Sequence, residues 1–373
     1  MKGRILILAN SSSGLMDFRG ELLLRLKKEG FTVYVSVPDQ RKVEELEGAG
    51  VIVRPVEMNR RGINPLQDLK LYANYRRLLK EVKPDAVLTY TIKPNVYGGF
   101  ACRRRGIPYL STVTGLGSAF ERKGLLKSLV CFLYRGGLSG AEAVFFQNEE
   151  NLHIFEELGI RGKRQVLVAG SGVDLKRHVP APYPGHRDKV TRFLYVGRLM
   201  QEKGSGEFLE TAKRMHAEFG DRVSFAAVGY AEGAYEEKAQ EAKQEGILKL
   251  IPYQNDIRPY YREADAVVMP SYHEGMSNVL MEASATARPV LASNISGCKE
   301  IVEEGKSGFL FEKESAQALY EACLRFFRLD EESRRQMGLA ARKKVEREFD
   351  RDRIIDVYMD EIFRAIHRKA DRR

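Results

Sequence analysis

Between positions 270 and 283 the chain reads Pro-Ser-Tyr-His-Glu-Gly-Met-Ser-Asn-Val-Leu-Met-Glu-Ala. A strand of buried type, Ala266 to Pro270, ends just before Glu274, which a loop presents. Ser277 and Asn278 are both good N-cap residues for a helix Asn278 to Ala287, and Glu282 falls about one turn inside it. Amides at that helix start, around Ser277, Asn278 and Val279, attract phosphate, and the helix dipole adds to the pull. One local structure thus offers an anion cradle flanked by carboxylates, and carboxylates accept hydrogen bonds from sugar hydroxyls. The same spacing also suits a plain loop residue and a solvated helix position. A second segment, Val196-Gly-Arg-Leu-Met-Gln-Glu-Lys-Gly204, sets Arg198 and Lys203 in a Gly-flanked loop after the strand Arg192 to Gly197. Two cations at the carboxyl end of a strand can neutralise a diphosphate and its leaving-group charge. Taken alone, the segment also suits a basic surface loop.

The elements that must position these residues alternate along the chain. Strands are expected at Arg4 to Ala9, Phe31 to Val37, Val51 to Val56 and Ala86 to Thr91. Helices are expected at Glu21 to Glu29, Lys42 to Glu47 and Pro65 to Val82, with a polar loop at Asn10 to Gly14. Alternation at this spacing implies a parallel sheet with helices on both faces and right-handed crossovers. A Gly-rich joint, Ala169 to Asp174, and a Pro-rich stretch, Pro180 to Gly185, read as a linker. The pattern then restarts with strands at Arg192 to Gly197, Val223 to Gly229, Lys249 to Pro252, Ala266 to Pro270, Pro289 to Ala292 and Gly308 to Phe311. The expected fold class is therefore α/β, with two Rossmann-like, doubly wound parallel-sheet domains at 1–170 and 171–350 facing across a ligand cleft. The amphipathic helix Arg351 to Arg368, within 351–373, is expected to pack back on the first domain.

Bulk properties narrow the function. A chain of 373 residues with 43% hydrophobic and 30% charged residues can bury a sizeable core, and it holds no apolar run of the ~20 residues that a bilayer span needs. Met1 to Arg4 lead straight into a strand, without the pattern of a secretory signal. Cys102, Cys131, Cys298 and Cys323 are scattered, which suits free thiols in a reducing compartment and gives no metal-ligand spacing. The net charge of +10 lies wholly within residues 1–170; the remainder is neutral. A basic half suggests an anionic partner, whether nucleic acid, anionic lipid or a phosphorylated substrate. Phe120 to Arg135 is apolar with basic flanks. With Arg103-Arg-Arg105 it suits a surface lying on an anionic leaflet, and equally a buried helix with solvated ends.

Together the two opening segments resemble the retaining glycosyltransferases of family 4, which have the GT-B fold, and the resemblance extends over nearly the whole chain. Glu274 and Glu282 match that family's E-x7-E motif, Arg198 and Lys203 its G-R-L-x-x-x-K-G element, and Gly297 to Val302 its G-x-P-E-I-V segment with Lys299 in place of Pro. The resemblance implies that Arg198 and Lys203 bind the donor diphosphate, that Glu274 sits near the donor sugar, and that Glu282 holds the ribose. Gly197, Gly275, Ser277, Asn278 and Val279 would complete the donor site, with the base near Tyr253 to Ile257. Thr89 to Gly98 and Thr114-Gly-Leu-Gly117 are similar to a subgroup that builds glycans on polyprenyl diphosphate, especially the N-acetylgalactosaminyltransferases that extend undecaprenyl-diphosphate-linked bacillosamine. Lys93 and Asn95 would then face the acceptor or donor sugar, and Gly14 and Arg19 would line the acceptor side. Many family members carry a first-domain His near the donor sugar; here every His lies at 153 or later, and Ile92 occupies a nearby position.

The expected function is transfer of a hexose or N-acetylhexosamine from a UDP-sugar to a polyprenyl-diphosphate-linked sugar, by front-face displacement and without metal or other cofactor. Asp350-Arg-Asp352 reads D-x-D but abuts the last helix, where a capping role fits. The expected location is the cytoplasm, peripheral on the cytoplasmic face of the inner membrane, with an anionic membrane surface and no nucleic acid as partner. A UDP-N-acetylglucosamine 2-epimerase shares the two-domain architecture, and a non-enzymatic module binding anionic membrane would account for the basic half while leaving the two carboxylates idle.

Overall fold

The computed structural model describes residues 2–59, 64–115, 125–185 and 188–370. The chain divides into two compact units, Met1–Ser171 with Asp352–Arg373, and Gly172–Arg351. In the first, strands β1 (Gly3–Leu8), β2 (Phe31–Ser36), β3 (Ile52–Val53), β4 (Ala86–Tyr90), β5 (Tyr109–Val113), β6 (Ala143–Phe146) and β7 (Gln165–Leu167) form one parallel sheet in the order β3-β2-β1-β4-β5-β6-β7. Strands covered on both faces need continuous apolar runs. Ile5 to Leu8 meet that need and are fully buried. Ile5 and Ile7 enter one core layer and Leu6 and Leu8 the other, because alternate side chains of a strand leave opposite faces.

The helix Arg351–Ala370 lays Ile354, Ile355, Tyr358, Met359 and Ile362 against the layer that holds Ile5 and Ile7. Tyr358 stacks on Phe145 with ring centroids 4.1 Å apart. Its hydroxyl lies 3.1 Å from that of Thr112.

Two elements differ from their sequence expectation. The segment read as a polar loop at Asn10 to Gly14 is already helical from Ser12, and the helix runs Ser12–Lys28. Ser11 caps it by accepting from the Gly14 amide, and Ser12 is held by Asp39 from the turn after β2. Strand β3 is only two residues long. Beyond it the Arg54 and Val56 amides still donate to the Val35 and Val37 carbonyls.

The second unit builds a six-stranded parallel sheet from β8 (Thr191–Val196), β9 (Val223–Val228), β10 (Leu248–Ile251), β11 (Ala266–Met269), β12 (Val290–Ser293) and β13 (Gly308–Phe311), in the order β10-β9-β8-β11-β12-β13. Two helices with no sequence expectation, Ala316–Phe327 and Glu331–Glu348, are capped by Ser315 and Asp330. In each unit the strand order reverses once: between β1 and β4, and between β8 and β11. Loops leaving the carboxyl ends of such a strand pair diverge to opposite faces of the sheet and leave a crevice.

Candidate active site

The β8/β11 crevice receives both segments singled out by their chemistry. After β8 the chain runs through Gly197 and Arg198 into a 3-10 turn, Gln201–Lys203, and then into the helix Ser205–Phe219. The Tyr195 hydroxyl donates to the Arg198 carbonyl at 2.7 Å, and the Met200 amide donates to the Ser205 hydroxyl at 2.9 Å. These bonds fix the loop at both ends. Gly204 has φ +66°, and a Cβ there would stand 2.0 Å from the carbonyl oxygen of Pro270. Only glycine allows the two loops to approach this closely. The Tyr272 amide then donates across the gap to the Glu202 carbonyl at 3.0 Å.

That contact determines what Lys203 can reach. Its ammonium donates to Glu274 Oε1 at 2.6 Å, and the Ser271 hydroxyl donates to the same oxygen at 2.8 Å. Glu274 is largely buried in this grip. Arg198 is held by a different carboxylate, Glu232, which comes from the loop after β9, at 2.9 Å. Each cation of the G-R-L-x-x-x-K-G segment therefore carries its own counter-carboxylate.

Ser277 caps the helix Asn278–Ala285, accepting from the Leu280 amide through its hydroxyl and from the Met281 amide through its carbonyl. The amides of Asn278 and Val279 precede the first intrahelical bond and lie at the positive end of the helix dipole. The loop before the helix is braced from behind. Gly297 has φ +86°, and a Cβ there would lie 2.7 Å from the Gly275 carbonyl oxygen and 2.9 Å from that of Glu274. The Gly297 carbonyl accepts from the Ser277 amide, and Glu300 accepts from the Gly297 amide at 2.7 Å and the Ser296 hydroxyl at 3.0 Å. Inside the helix, Glu282 accepts from the Tyr261 hydroxyl at 3.0 Å. Burial, and then the Glu282 carboxylate, raise the Tyr261 phenol well above its ordinary pKa, so that it remains a donor.

Tyr253 is exposed beside Tyr230 and Leu250 in a groove of about 710 Å³ beyond β9 and β10. The arrangement combines two cations, the start of a helix and two oriented carboxylates. It can hold a dianion with a hydroxyl-rich group attached.

In the first unit the β1/β4 crevice is a cavity of about 270 Å³ lined by Asn10, Thr91, Lys93 and Thr114. Thr91 sits at φ +71°, an unusual conformation for a β-branched residue. Lys93 is paired with buried Asp68 at 2.7 Å, and Asp68 also accepts from Tyr97 at 3.0 Å. Gly14 falls in the first turn of the helix Ser12–Lys28.

Two expected acceptor-side residues, Asn95 and Arg19, have their partners inside the first unit. Asn95 is fully buried; its amide donates to the Thr112 carbonyl at 2.9 Å, and its oxygen accepts from Thr89 at 2.7 Å. The Arg19 guanidinium is buried 5.3 Å from the ring centres of both Tyr90 and Tyr358, in cation–π contact with the two. Of the segment Thr114 to Gly117, Leu116 and Gly117 lie outside the described residues, as do residues 120–124 of the apolar stretch Phe120 to Arg135.

Sequence reasoning missed Glu232, Ser271, Tyr261 and Glu300 as supporting residues. Ser271 and Glu300 stand inside the quoted motifs. Glu232 and Tyr261 carry no local signal, because their partners lie 34 and 21 positions away.

Comparison with known proteins finds relatives of both units. A family model described as glycosyl transferase 4-like matches residues 4–148, and one described as glycosyl transferases group 1 matches residues 190–328. The N,N'-diacetylbacillosaminyl-diphospho-undecaprenol alpha-1,3-N-acetylgalactosaminyltransferase of Campylobacter jejuni is 26% identical over 333 residues, 85% of this chain and 88% of that protein. The UDP-Gal:alpha-D-GlcNAc-diphosphoundecaprenol alpha-1,3-galactosyltransferase of Escherichia coli is 28% identical over 80% of this chain and 81% of that protein. Among solved structures, Anabaena HepE in complex with UDP and glucose superposes with a TM-score of 0.78 at 20% identity, over 95% of this chain and 98% of that one. Sucrose-phosphate synthase from Thermosynechococcus elongatus also gives 0.78, at 19% identity over 98% and 99%.

Proposed function

Because the chain belongs to the group 1 and 4-like glycosyltransferases and has their GT-B fold, we propose that it moves a hexose or N-acetylhexosamine from a UDP-sugar to a polyprenyl-diphosphate-linked sugar. In this reading the second unit binds the donor and the first unit binds the acceptor at an anionic membrane surface. The reading is supported above all by the 2.6 Å contact between Lys203 and Glu274, a cation able to pair with phosphate and an acid able to accept from a sugar hydroxyl, in one crevice. Its substrate assignment is supported by the similarity to the two undecaprenol-dependent transferases over at least four-fifths of each chain.

The chemistry follows from the residues. Arg198 and Lys203 exchange their carboxylate partners for the diphosphate oxygens, and the Asn278 and Val279 amides cradle the distal phosphate. Glu282, held by Tyr261, receives the ribose hydroxyls. Glu274 accepts from a hydroxyl of the donor sugar and fixes its ring. The acceptor oxygen bonds to the anomeric carbon as the bond from that carbon to the phosphate oxygen breaks. The electron pair leaves with UDP, and the acceptor proton passes to the departing diphosphate oxygen. Attack and departure on the same face retain configuration. The protein contributes positioning and stabilisation of the leaving charge.

Incubation with a panel of UDP-hexoses and UDP-N-acetylhexosamines and a defined polyprenyl-diphosphate sugar is expected to give UDP release only when both substrates are present, with an α-linked product by NMR and turnover that persists in EDTA. Acceptor-free conversion of UDP-N-acetylglucosamine to its 2-epimer would overturn the reading. Lys203→Ala is expected to weaken UDP binding about 10- to 100-fold by calorimetry, the scale of one charge-assisted hydrogen bond. Unchanged affinity would remove Lys203 from the diphosphate site.

A further inference from the structure

On the first unit an apolar groove and a cationic groove lie side by side. The apolar groove, about 680 Å³, is lined by Leu69, Tyr72, Tyr97, Phe100, Leu129 and Leu133, between the helices Pro65–Val82 and Leu125–Leu138. Each helix turns an i,i+3 apolar pair outward. Leu66 and Leu69 are 80% and 64% exposed, and Leu129 and Phe132 are 44% and 66% exposed. Side chains of this size left open in a cluster mark a surface that contacts something apolar.

The cationic groove, about 700 Å³, lies at the amino ends of β4, β5 and β6 and is lined by seven Lys and Arg side chains against two carboxylates. Those two are already neutralised: Glu142 by Lys163 and Arg368, and Asp85 by Lys369. Lys80, Lys83, Arg103 and Arg105 remain exposed, with no ion pair among the described residues. Arg103 belongs to both grooves. It lies over the Phe100 ring at 5.5 Å and donates to Ser139 at 2.6 Å. At its other end the apolar groove reaches Asp68, whose partner Lys93 lines the β1/β4 cavity.

We propose that this double groove is the face by which the enzyme docks on an anionic lipid leaflet, with Leu66, Leu69, Leu129 and Phe132 entering the acyl boundary and Lys80, Lys83, Arg103 and Arg105 meeting the headgroup phosphates. A soluble polyanion would use the cations and leave the leucines idle; a soluble apolar partner would do the reverse. An anionic bilayer has both chemistries at the separation of adjoining grooves. The inference deepens the lipid-linked acceptor reading and rests on it for its purpose. The path through Asp68 and Lys93 would lead an acceptor's diphosphate from the leaflet to the β1/β4 cavity.

The test is cosedimentation of the full chain with vesicles of phosphatidylcholine alone and with one-third phosphatidylglycerol. Binding is expected to the anionic vesicles, to weaken as salt is raised, and to be lost at least tenfold both in L69D/F132D and in K80E/K83E/R105E. Both variants are expected to keep full turnover on a water-soluble, short-chain acceptor, which also shows that they fold. Equal binding by parent and variants would overturn the proposal, as would a parent that binds soluble polyphosphate but no vesicle. A parent that binds vesicles yet glycosylates no lipid-linked sugar would overturn the acceptor reading and leave the docking face standing.

Discussion

Replacing Glu274 by alanine is expected to lower turnover about 10²- to 10³-fold while UDP affinity changes by less than about threefold, the pattern of a group that acts on the reacting sugar and not on the nucleotide. The expectation follows from how the carboxylate is held. Ser271 and Lys203 both donate to Oε1, so the side chain is oriented before substrate arrives. Losing it leaves Lys203 without its partner, and an unpaired ammonium in this crevice is drawn more strongly to the diphosphate. Nucleotide binding therefore does not suffer. Glu274→Gln keeps the shape and loses the charge; it is expected to retain more activity than alanine, because the Ser271 bond can persist. Steady-state UDP release, measured beside calorimetric titration with UDP, separates the two effects. A fall in affinity that matches the fall in turnover would place Glu274 on the nucleotide and refute its assignment to the sugar.

How much of this was legible in the chain depends on how local each signal is. The sheets could be read because a parallel strand covered on both faces leaves an unbroken apolar run such as Ile5 to Leu8, which no amphipathic pattern imitates. Arg198, Lys203 and Glu274 could be singled out as candidates because each lies within a dozen residues of the strand that leads into its own loop. Their supports could not. Glu232 meets Arg198 only because β9 lies beside β8, and Tyr261 meets Glu282 only because the fold returns the helix Asn278–Ala285 to it. Asn95 and Arg19 show how little a polar type says about its surroundings. Polar residues near an expected site read as ligands, yet both are spent inside the first unit, one on backbone and side-chain hydrogen bonds and the other between aromatic rings. Ser12 was lost to the polar look of its neighbours. A serine run suits a loop until a partner such as Asp39, 27 residues on, claims it for a helix start.

Gly204→Ala tests whether the crevice depends on two loops touching. Two costs add at this position. A side chain at φ +66° costs about 1 kcal/mol from the left-handed conformation alone. The new Cβ would also sit 2.0 Å from the Pro270 carbonyl oxygen, far inside contact distance, and that oxygen is backbone that cannot swing aside as a flexible side chain would. The loops must separate, and with them Lys203 and Glu274. A shift of about 1 Å in positioning groups costs on the order of 10²-fold in rate, so transfer is expected to fall by at least that factor. The strain is expected to reach roughly 3 kcal/mol, which in a unit of this size lowers the midpoint of thermal unfolding by about 6–12 °C. Gly246→Ala supplies the control. It follows the helix Ala234–Gln244 at φ +74°, in the left-handed turn closed by the Gly246 and Ile247 amides on the Lys243 and Ala242 carbonyls, and nothing lies within 4 Å of the added methyl. It carries the conformational cost alone and is expected to keep its activity. Thermal melts and turnover for the two variants side by side decide the matter: if Gly204→Ala behaves like Gly246→Ala, the closeness of the loops is not what holds Lys203 against Glu274.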